Sequence, residues 1–264
     1  MATTVSNSQP IPEAPLGQAL PATEETVSQK PTQPKSKKNF ISAYREYADI
    51  LEAPAEAHEA IAIAILGAVL NRSGVYIEHG PVKIPIDCWL IMISESGFGR
   101  NTLVGLATPV LNEAGLQDLT RSAAWGSDVA LYQDVAENPK GLFVWPEMSI
   151  VLKKLGQANF GGSKEWLTDR YDNYEVPPAI KYRKTGKQDK DTPSIEFSLA
   201  PRLNIVATSS EDWLIANLVQ EDTTGGFLPR FLLLKLEGNG RIIPIPKRTD
   251  PRVRAELVRS VARD

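Results

Sequence analysis

The chain has 264 residues, of which 42% are hydrophobic and 23% are charged, and its formal net charge is −3. This composition is typical of a folded globular protein, and the lack of a basic excess argues against a histone-like protein that coats nucleic acid. The single cysteine, Cys88, excludes an intrachain disulfide and, with only two histidines, argues against a structural zinc site. The longest apolar run, 60–70, is too short to cross a membrane, and the N-terminus has no signal-peptide pattern. We expect a cytoplasmic protein with one large domain.

Four segments are predicted along the chain. They are a disordered tail (1–38), a helical lead-in with two helices separated at Pro54 (39–80), a core (81–248) and a C-terminal helix (249–264). The tail is rich in Ala, Thr, Pro, Ser and Gln, a composition that buries too little apolar surface to offset the entropy of ordering. Its basic run at Lys35, Lys37 and Lys38 is either an arm for phosphates or an ordinary solvated segment. The C-terminal helix has no finished domain after it, which leaves room for a longer native chain.

Four short apolar runs bounded by turn or polar residues predict buried strands. They lie at 88–94, 141–145, 203–208 and 230–236. Helical patterns separate most of them, including one from near Asn101 to Gly115, one capped by Ser127, one over Met148 to Leu155, and one over Ser163 to Tyr174 with Ser163 as its N-cap. Strand, helix, strand order is the pattern of an α/β fold with a mostly parallel central sheet flanked by helices.

A glycine-containing turn follows the first predicted strand and precedes a helix, which is the context of a phosphate-binding loop. Compared with the pattern G-x-x-x-x-G-K-[ST], Ser94 replaces the first glycine, Arg100 the lysine and Asn101 the hydroxyl residue, while Thr102 offers a hydroxyl one position later. The alternative is a tight turn that needs glycine only for its backbone conformation. The candidate nucleotide-binding residues are Ser94, Gly97, Gly99, Arg100, Asn101 and Thr102.

Six segments in order then resemble a known family. They are EAPAEAHEAIAIAILGAVLNR, ISESGFGRNT, LFVWPEMS, WLTDRYDNYE, PRLNIVATSSEDWL and GGFLPRFLLLK. Together they resemble the RecA-like P-loop, helicase-type family of phages, plasmids and other mobile elements, which is similar to the ATPase part of primase-helicases. The resemblance spans about 47–236 and implies a RecA-like fold, ATP and Mg²⁺ as cofactors, and helicase or translocase work on single-stranded or forked DNA during replication.

The resemblance also implies roles for individual residues. Glu147 matches the acidic end of the Walker B strand and would act on the attacking water, with Thr102 and Glu147 as candidate Mg²⁺ ligands. Pro146 departs from the family, because it stands where an Mg²⁺-binding aspartate often lies. Thr208 matches a position that senses the γ-phosphate. The alternatives are a helix-dipole carboxylate for Glu147 and, at Thr208, a Thr or Ser that caps the helix over Ser210 to Leu218.

Arg230, in GGFLPRF, matches an arginine that the family places at the last strand. The resemblance implies an arginine finger at a subunit interface, and therefore a homo-oligomer in the form of a ring. The alternative is an ordinary surface ion pair. Asp169 and Asp172 fall on one face of the preceding helix, where we expect a solvated surface rather than a catalytic carboxylate pair.

A basic hairpin is predicted over 180–197. Its cations with an interleaved tyrosine are typical of contacts to a nucleic-acid backbone and base, although lysines also protect sheet edges. The candidate nucleic-acid-binding residues are Lys181, Tyr182, Arg183, Lys184 and Lys187.

Three functions remain open from the sequence. The first is a DNA-dependent ATPase that couples hydrolysis to movement along DNA. The second is a descendant without hydrolysis that retains the fold as an oligomeric DNA-binding scaffold, which the altered loop and Pro146 would explain. The third is an interaction domain that recruits a replication or defence partner.

Overall fold

The computed structural model describes residues 39–95, 99–181, 194–237, 243–245 and 248–262. The predicted tail over 1–38 therefore lies outside the described residues. The first half of the described chain contains α1 (Phe40–Ala48), α2 (Ala55–Arg72), β1 (Tyr76–His79), β2 (Val82–Pro85), β3 (Trp89–Ile93), α3 (Arg100–Gly105), α4 (Thr108–Glu113), β4 (Thr120–Ser122) and α5 (Asp128–Glu137). The second half contains β5 (Leu142–Trp145), α6 (Met148–Leu155), α7 (Ser163–Asp172), β6 (Ala179–Lys181), β7 (Ser194–Glu196), β8 (Asn204–Ser209), α8 (Glu211–Asn217), α9 (Gln220–Thr224), β9 (Leu232–Lys235) and α10 (Pro251–Val261).

A five-stranded sheet forms the centre of the fold, with the order β4-β5-β8-β3-β9 and every neighbouring pair parallel. The prediction of an α/β fold with a parallel central sheet is therefore confirmed. All four predicted strands are present, as β3, β5, β8 and β9. Strand β4 was not predicted, because its three residues, Thr-Arg-Ser, form no apolar run. The β1–β2 hairpin also escaped, because its residues are mostly exposed.

Helices cover both faces of the sheet, and the register explains which side chains each face buries. Leu90 and Val144 both align with Val206, and these residues pack in one hydrophobic cluster with α1, α2, α4 and α10. Ile91 and Phe143 project to the other face, where they pack with α5, α6, α7 and α8. Every interior strand is thus apolar on both faces, as expected for parallel strands that are covered twice.

The helix predicted from near Asn101 to Gly115 is interrupted. It forms as α3 and α4, with turn residues at 106–107. Pro109 in the first turn of α4 explains the interruption, because proline lacks an amide hydrogen and its ring clashes with the carbonyl four residues earlier. Helix α6 has the predicted bounds, and Ser127 caps α5 by accepting a hydrogen bond from the amide of Ala130 at 3.3 Å.

The predicted N-cap of α7 is wrong. Gly162, with a φ of 83°, occupies the cap position, and Ser163 is the first residue inside the helix. A left-handed backbone at this position favours glycine over any residue with a Cβ atom, so the local glycine outweighed the capping preference of serine.

The chain changes direction across the sheet between β3 and β8. The helices that follow β3 cover one face, whereas those that follow β5 and β8 cover the other. The connections that leave the carboxyl ends of the neighbouring strands β3 and β8 diverge to opposite faces, and we call the position between them the crevice. In open α/β sheets, ligands bind at such a switch point.

Candidate functional site

Three segments with polar side chains meet at the edge where the strands end, which we call the carboxyl edge. Ser94 follows β3, Glu147 follows β5, and Thr208 and Ser209 end β8. Since the three strands are parallel neighbours, residues that leave them at the same level lie side by side. Ser209 aligns with Ile93 across the β3–β8 pair, and the amide of Ser94 donates to the carbonyl of Ser209 at 3.1 Å.

Two serine hydroxyls hold the carboxylate of Glu147. The Ser149 hydroxyl donates to Glu147 Oε1 at 2.8 Å, and the Ser149 amide donates to the same oxygen at 3.3 Å. From the neighbouring strand, the Ser209 hydroxyl donates to Glu147 Oε1. Ser149 and Ser209 are buried, and Glu147 is half-buried. Glu147 is thus fixed at the crevice, and it also caps α6, as its helix-dipole alternative requires.

Thr208 joins β8 to the turn that carries Glu147. Its buried hydroxyl donates to the carbonyl of Pro146 at 2.6 Å. In the alternative interpretation a Thr or Ser caps α8, and Ser210 occupies that cap position, whereas Thr208 lies inside β8. The Thr208 hydroxyl therefore links the end of β8 to the end of β5. Its partner at Pro146 is the main-chain carbonyl and not a side chain.

The loop after β3 ends in a glycine-dependent turn. Gly99 has a φ of 73° and precedes α3 as its N-cap, and its carbonyl accepts from the amide of Thr102 at 2.9 Å. A Cβ atom at Gly99 would meet nothing within 4 Å, so the backbone conformation alone requires glycine there. The structure gives Arg100 and Asn101 positions in the first turn of α3 and leaves Thr102 exposed, while Gly97 lies outside the described residues.

Arg230 lies at the opposite edge, where the strands begin, which we call the amino edge. Its guanidinium forms two hydrogen bonds with the carboxylate of Asp172, of which the Nε–Oδ1 bond measures 3.2 Å. It also donates to the carbonyl of Gly226, where a Cβ atom would lie 2.6 Å from its Nη1 atom. Within one chain, Arg230 and Glu147 are therefore at opposite edges of the sheet.

The basic hairpin is present at its base, where β6 and β7 pair in antiparallel fashion. Lys181 ends β6. Four of the candidate nucleic-acid-binding residues lie outside the described residues: Tyr182, Arg183, Lys184 and Lys187.

An acidic group lies at the start of β3, on the amino edge. Asn71 donates to Asp87 Oδ1 at 2.6 Å, and burial raises the pKa of this carboxyl to about 7 although Asn71 and Arg202 oppose the shift. Burial, with a smaller contribution from Asp87, raises the pKa of the adjacent Cys88 thiol to about 11. The thiol is therefore protonated and poorly nucleophilic at neutral pH.

Ser149 and Ser209 are the residues that the sequence analysis missed at the carboxyl edge. The signal for Ser209 was present, since LNIVATSS continues a buried strand directly into polar residues where the sheet ends. Ser149 gave a weaker signal, because a serine in the first turn of a helix is common for capping reasons alone.

No family model matches this chain, and no curated protein matches it either. Among the described residues, no helix is both long and apolar enough to span a membrane. In the same part of the chain, no three His, Cys, Asp or Glu side chains gather as metal ligands.

Proposed function

We propose that this chain is a RecA-like ATPase that binds ATP at the carboxyl edge and uses its hydrolysis for work on DNA. The observation that carries the proposal is the carboxylate of Glu147, held by Ser149 and Ser209 beside the crevice between β3 and β8. A carboxylate at the end of a buried strand, fixed by hydroxyls and next to a switch point, is suited to orienting a water molecule.

The two serines give Glu147 its working geometry. Both hydroxyls donate to Oε1, and a carboxylate oxygen that accepts charge-assisted hydrogen bonds has a defined orientation. A water that donates a proton to this carboxylate would be placed over the crevice, in line with a phosphate bound by the loop after β3. Thr208, fixed against Pro146, would complete the wall that a terminal phosphate meets.

The loop after β3 and the start of α3 would receive the phosphates. Arg100 would supply a positive charge there, as a planar guanidinium in the place of the lysine point charge of the standard loop. Mg²⁺ typically uses one or two carboxylates together with phosphate oxygens and water, and the Glu147 carboxylate with the Thr102 hydroxyl fits that donor set. A bound Mg²⁺ would neutralise part of the phosphate charge.

The proposal for Arg230 requires a second copy of the chain, because its own Glu147 lies across the sheet. To act at the nucleotide of a neighbouring subunit, Arg230 would have to break its ion pair with Asp172 and bind the phosphates instead. In the assembled protein, Arg230→Ala should then lower ATP turnover by about a thousandfold or more. Asp172→Asn breaks the same ion pair from the other side and should leave turnover within about threefold. Equal, small effects of both variants would leave Arg230 as an ion-pair partner only.

A non-hydrolysing scaffold is the second candidate, and Pro146 is the observation that favours it. Because proline has no carboxylate, this position offers no second acidic ligand for a metal. Its main-chain carbonyl instead accepts a hydrogen bond from the Thr208 hydroxyl. Under this alternative, the Glu147 network caps α6 and links β5 to β8 without acting on a nucleotide.

Binding of a non-hydrolysable ATP analogue, with and without single-stranded DNA, tests the proposed function. Wild-type protein should bind the analogue, and Arg100→Ala should bind it at least tenfold more weakly because a phosphate contact is lost. Arg45→Ala, which removes an exposed cation from α1, is the control and should bind like wild type. Wild-type protein that neither binds nor hydrolyses ATP in either condition would decide for the scaffold.

A further inference from the structure

A small cavity opens at the amino edge, on the side of the sheet opposite to Glu147. It measures about 260 Å³ and is built from the ends of four connections, which enter β1, β5, β6 and β8. Pockets that enclose a whole drug-sized ligand usually measure roughly 300–1,000 Å³. This cavity therefore has room for a smaller group, such as one base.

Two cations line the cavity, and neither is held in an ion pair with a described residue. They are Lys140 and Arg202, which both contribute to its wall. The Arg202 amide donates to the carbonyl of Pro139 at 2.6 Å, so the segments that carry the two cations are tied together. The lining also includes the carboxylate of Glu175. Asp87 lies close enough to Arg202 for the guanidinium to lower the pKa of the Asp87 carboxyl, against the larger effect of burial.

Two tyrosines line the same cavity, and each already contacts a cation. The guanidinium carbon of Arg202 lies 5.0 Å from the centre of the Tyr174 ring, and Lys83 Nζ lies 4.4 Å from the centre of the Tyr76 ring. Aromatic faces beside cations are what proteins use to bind a single strand, since the rings stack on bases while the cations neutralise phosphates.

The position of the cavity relates it to the basic hairpin. Glu175 and Pro177 precede β6, and Ser198 to Ala200 follow β7, so the lining includes both sides of the hairpin base.

We propose that this cavity binds one nucleotide of a single-stranded nucleic acid, with its base against Tyr174 and Tyr76 and its phosphate against Lys140 and Arg202. This inference names a second contact for the nucleic-acid partner of the proposed function and rests on that part of it alone. A duplex would not satisfy the site, because its bases are stacked inside and cannot enter a cavity of this size.

The test is fluorescence anisotropy of a labelled oligo-dT with the full chain, measured over a range of salt concentrations. The double variant Lys140→Gln/Arg202→Gln should lose at least tenfold in affinity, and its salt slope should fall by about 0.7 for each lost phosphate contact. Lys153→Gln/Arg259→Gln removes two exposed cations elsewhere and should stay within about twofold of wild type. Tyr174→Leu should lose about fivefold or more with an unchanged salt slope, because stacking carries no charge.

Several results would overturn the proposal. They are an unchanged affinity and salt slope in the cavity variants, an equal loss in the control double variant, and no binding of oligo-dT by wild type. If the double variant does not fold, Lys140→Gln alone decides, because glutamine retains much of the aliphatic stem of this half-buried side chain. A thymidine monophosphate that binds through Lys140 while oligo-dT is indifferent to the cavity would identify a free-nucleotide site instead. Failure of ATP binding leaves this test intact, so the two proposals fail separately.

Discussion

The two edges of the central sheet differ in how they use polar groups. At the carboxyl edge, hydroxyls and one carboxylate hydrogen-bond to one another across strand ends, through Glu147, Ser209 and Thr208. At the amino edge, charged side chains meet aromatic rings, and Arg230 is engaged by Asp172 while Arg202 lies over Tyr174. Under the two proposals above, the network at the carboxyl edge would orient one reacting group, and the cationic, aromatic surface at the amino edge would bind a polymer.

The largest expected effect is at the carboxyl edge. Glu147→Gln retains an oxygen that can accept from Ser149 and Ser209 but removes the negative charge, so ATP binding should persist while turnover falls by about a hundredfold or more. Steady-state ATP hydrolysis with single-stranded DNA measures the change. Glu165→Gln makes the same substitution in the first turn of α7 and should leave turnover unchanged. Unaltered turnover in Glu147→Gln would remove the catalytic role.

A second effect concerns the support of the amino edge. Helix α2 approaches the sheet at Gly67, where a Cβ atom would lie 2.8 Å from the carbonyl oxygen of Ile86 and 2.9 Å from Asn204 Oδ1. Gly67→Ala should therefore destabilise the protein by about 1–3 kcal/mol, because a backbone atom cannot yield easily. Urea unfolding measures this loss. Gly105→Ala, in a helix with nothing within 4 Å of its Cβ position, should be neutral or slightly stabilising, and equal losses would contradict the account.

These contacts show what a single sequence can and cannot give. The four apolar strands, the parallel α/β class and the turn at Gly99 followed from local patterns. The Asp172–Arg230 pair did not, because the two residues are far apart along the chain and Asp172 by itself predicted only a solvated face. The Ser209–Glu147 contact depends on which strands become neighbours, and apolar runs alone do not give strand order.

A third effect is a pH dependence of stability that arises at Asp87, on the amino edge. Burial raises the pKa of Asp87 from 3.8 to about 7, so between these values the folded state binds more protons than the unfolded state. The free energy of unfolding should consequently fall as pH rises from about 4 to about 7, with a slope of at most one proton. Asp87→Asn should remove this component, as urea midpoints across that range would show. Identical pH profiles for both proteins would contradict the assignment.

Hydrogen exchange with each ligand in turn tests the division between the edges most directly. A non-hydrolysable ATP analogue should protect amides in 94–106 and 208–211, at the carboxyl edge, and leave those around 74–76, 140 and 174–177 unchanged. An oligo-dT ligand should instead protect the amides around 74–76, 140 and 174–177, at the amino edge. Protection of the amino edge by the ATP analogue, or no protection at the carboxyl edge, would contradict the assignment of the nucleotide to the crevice beside Glu147.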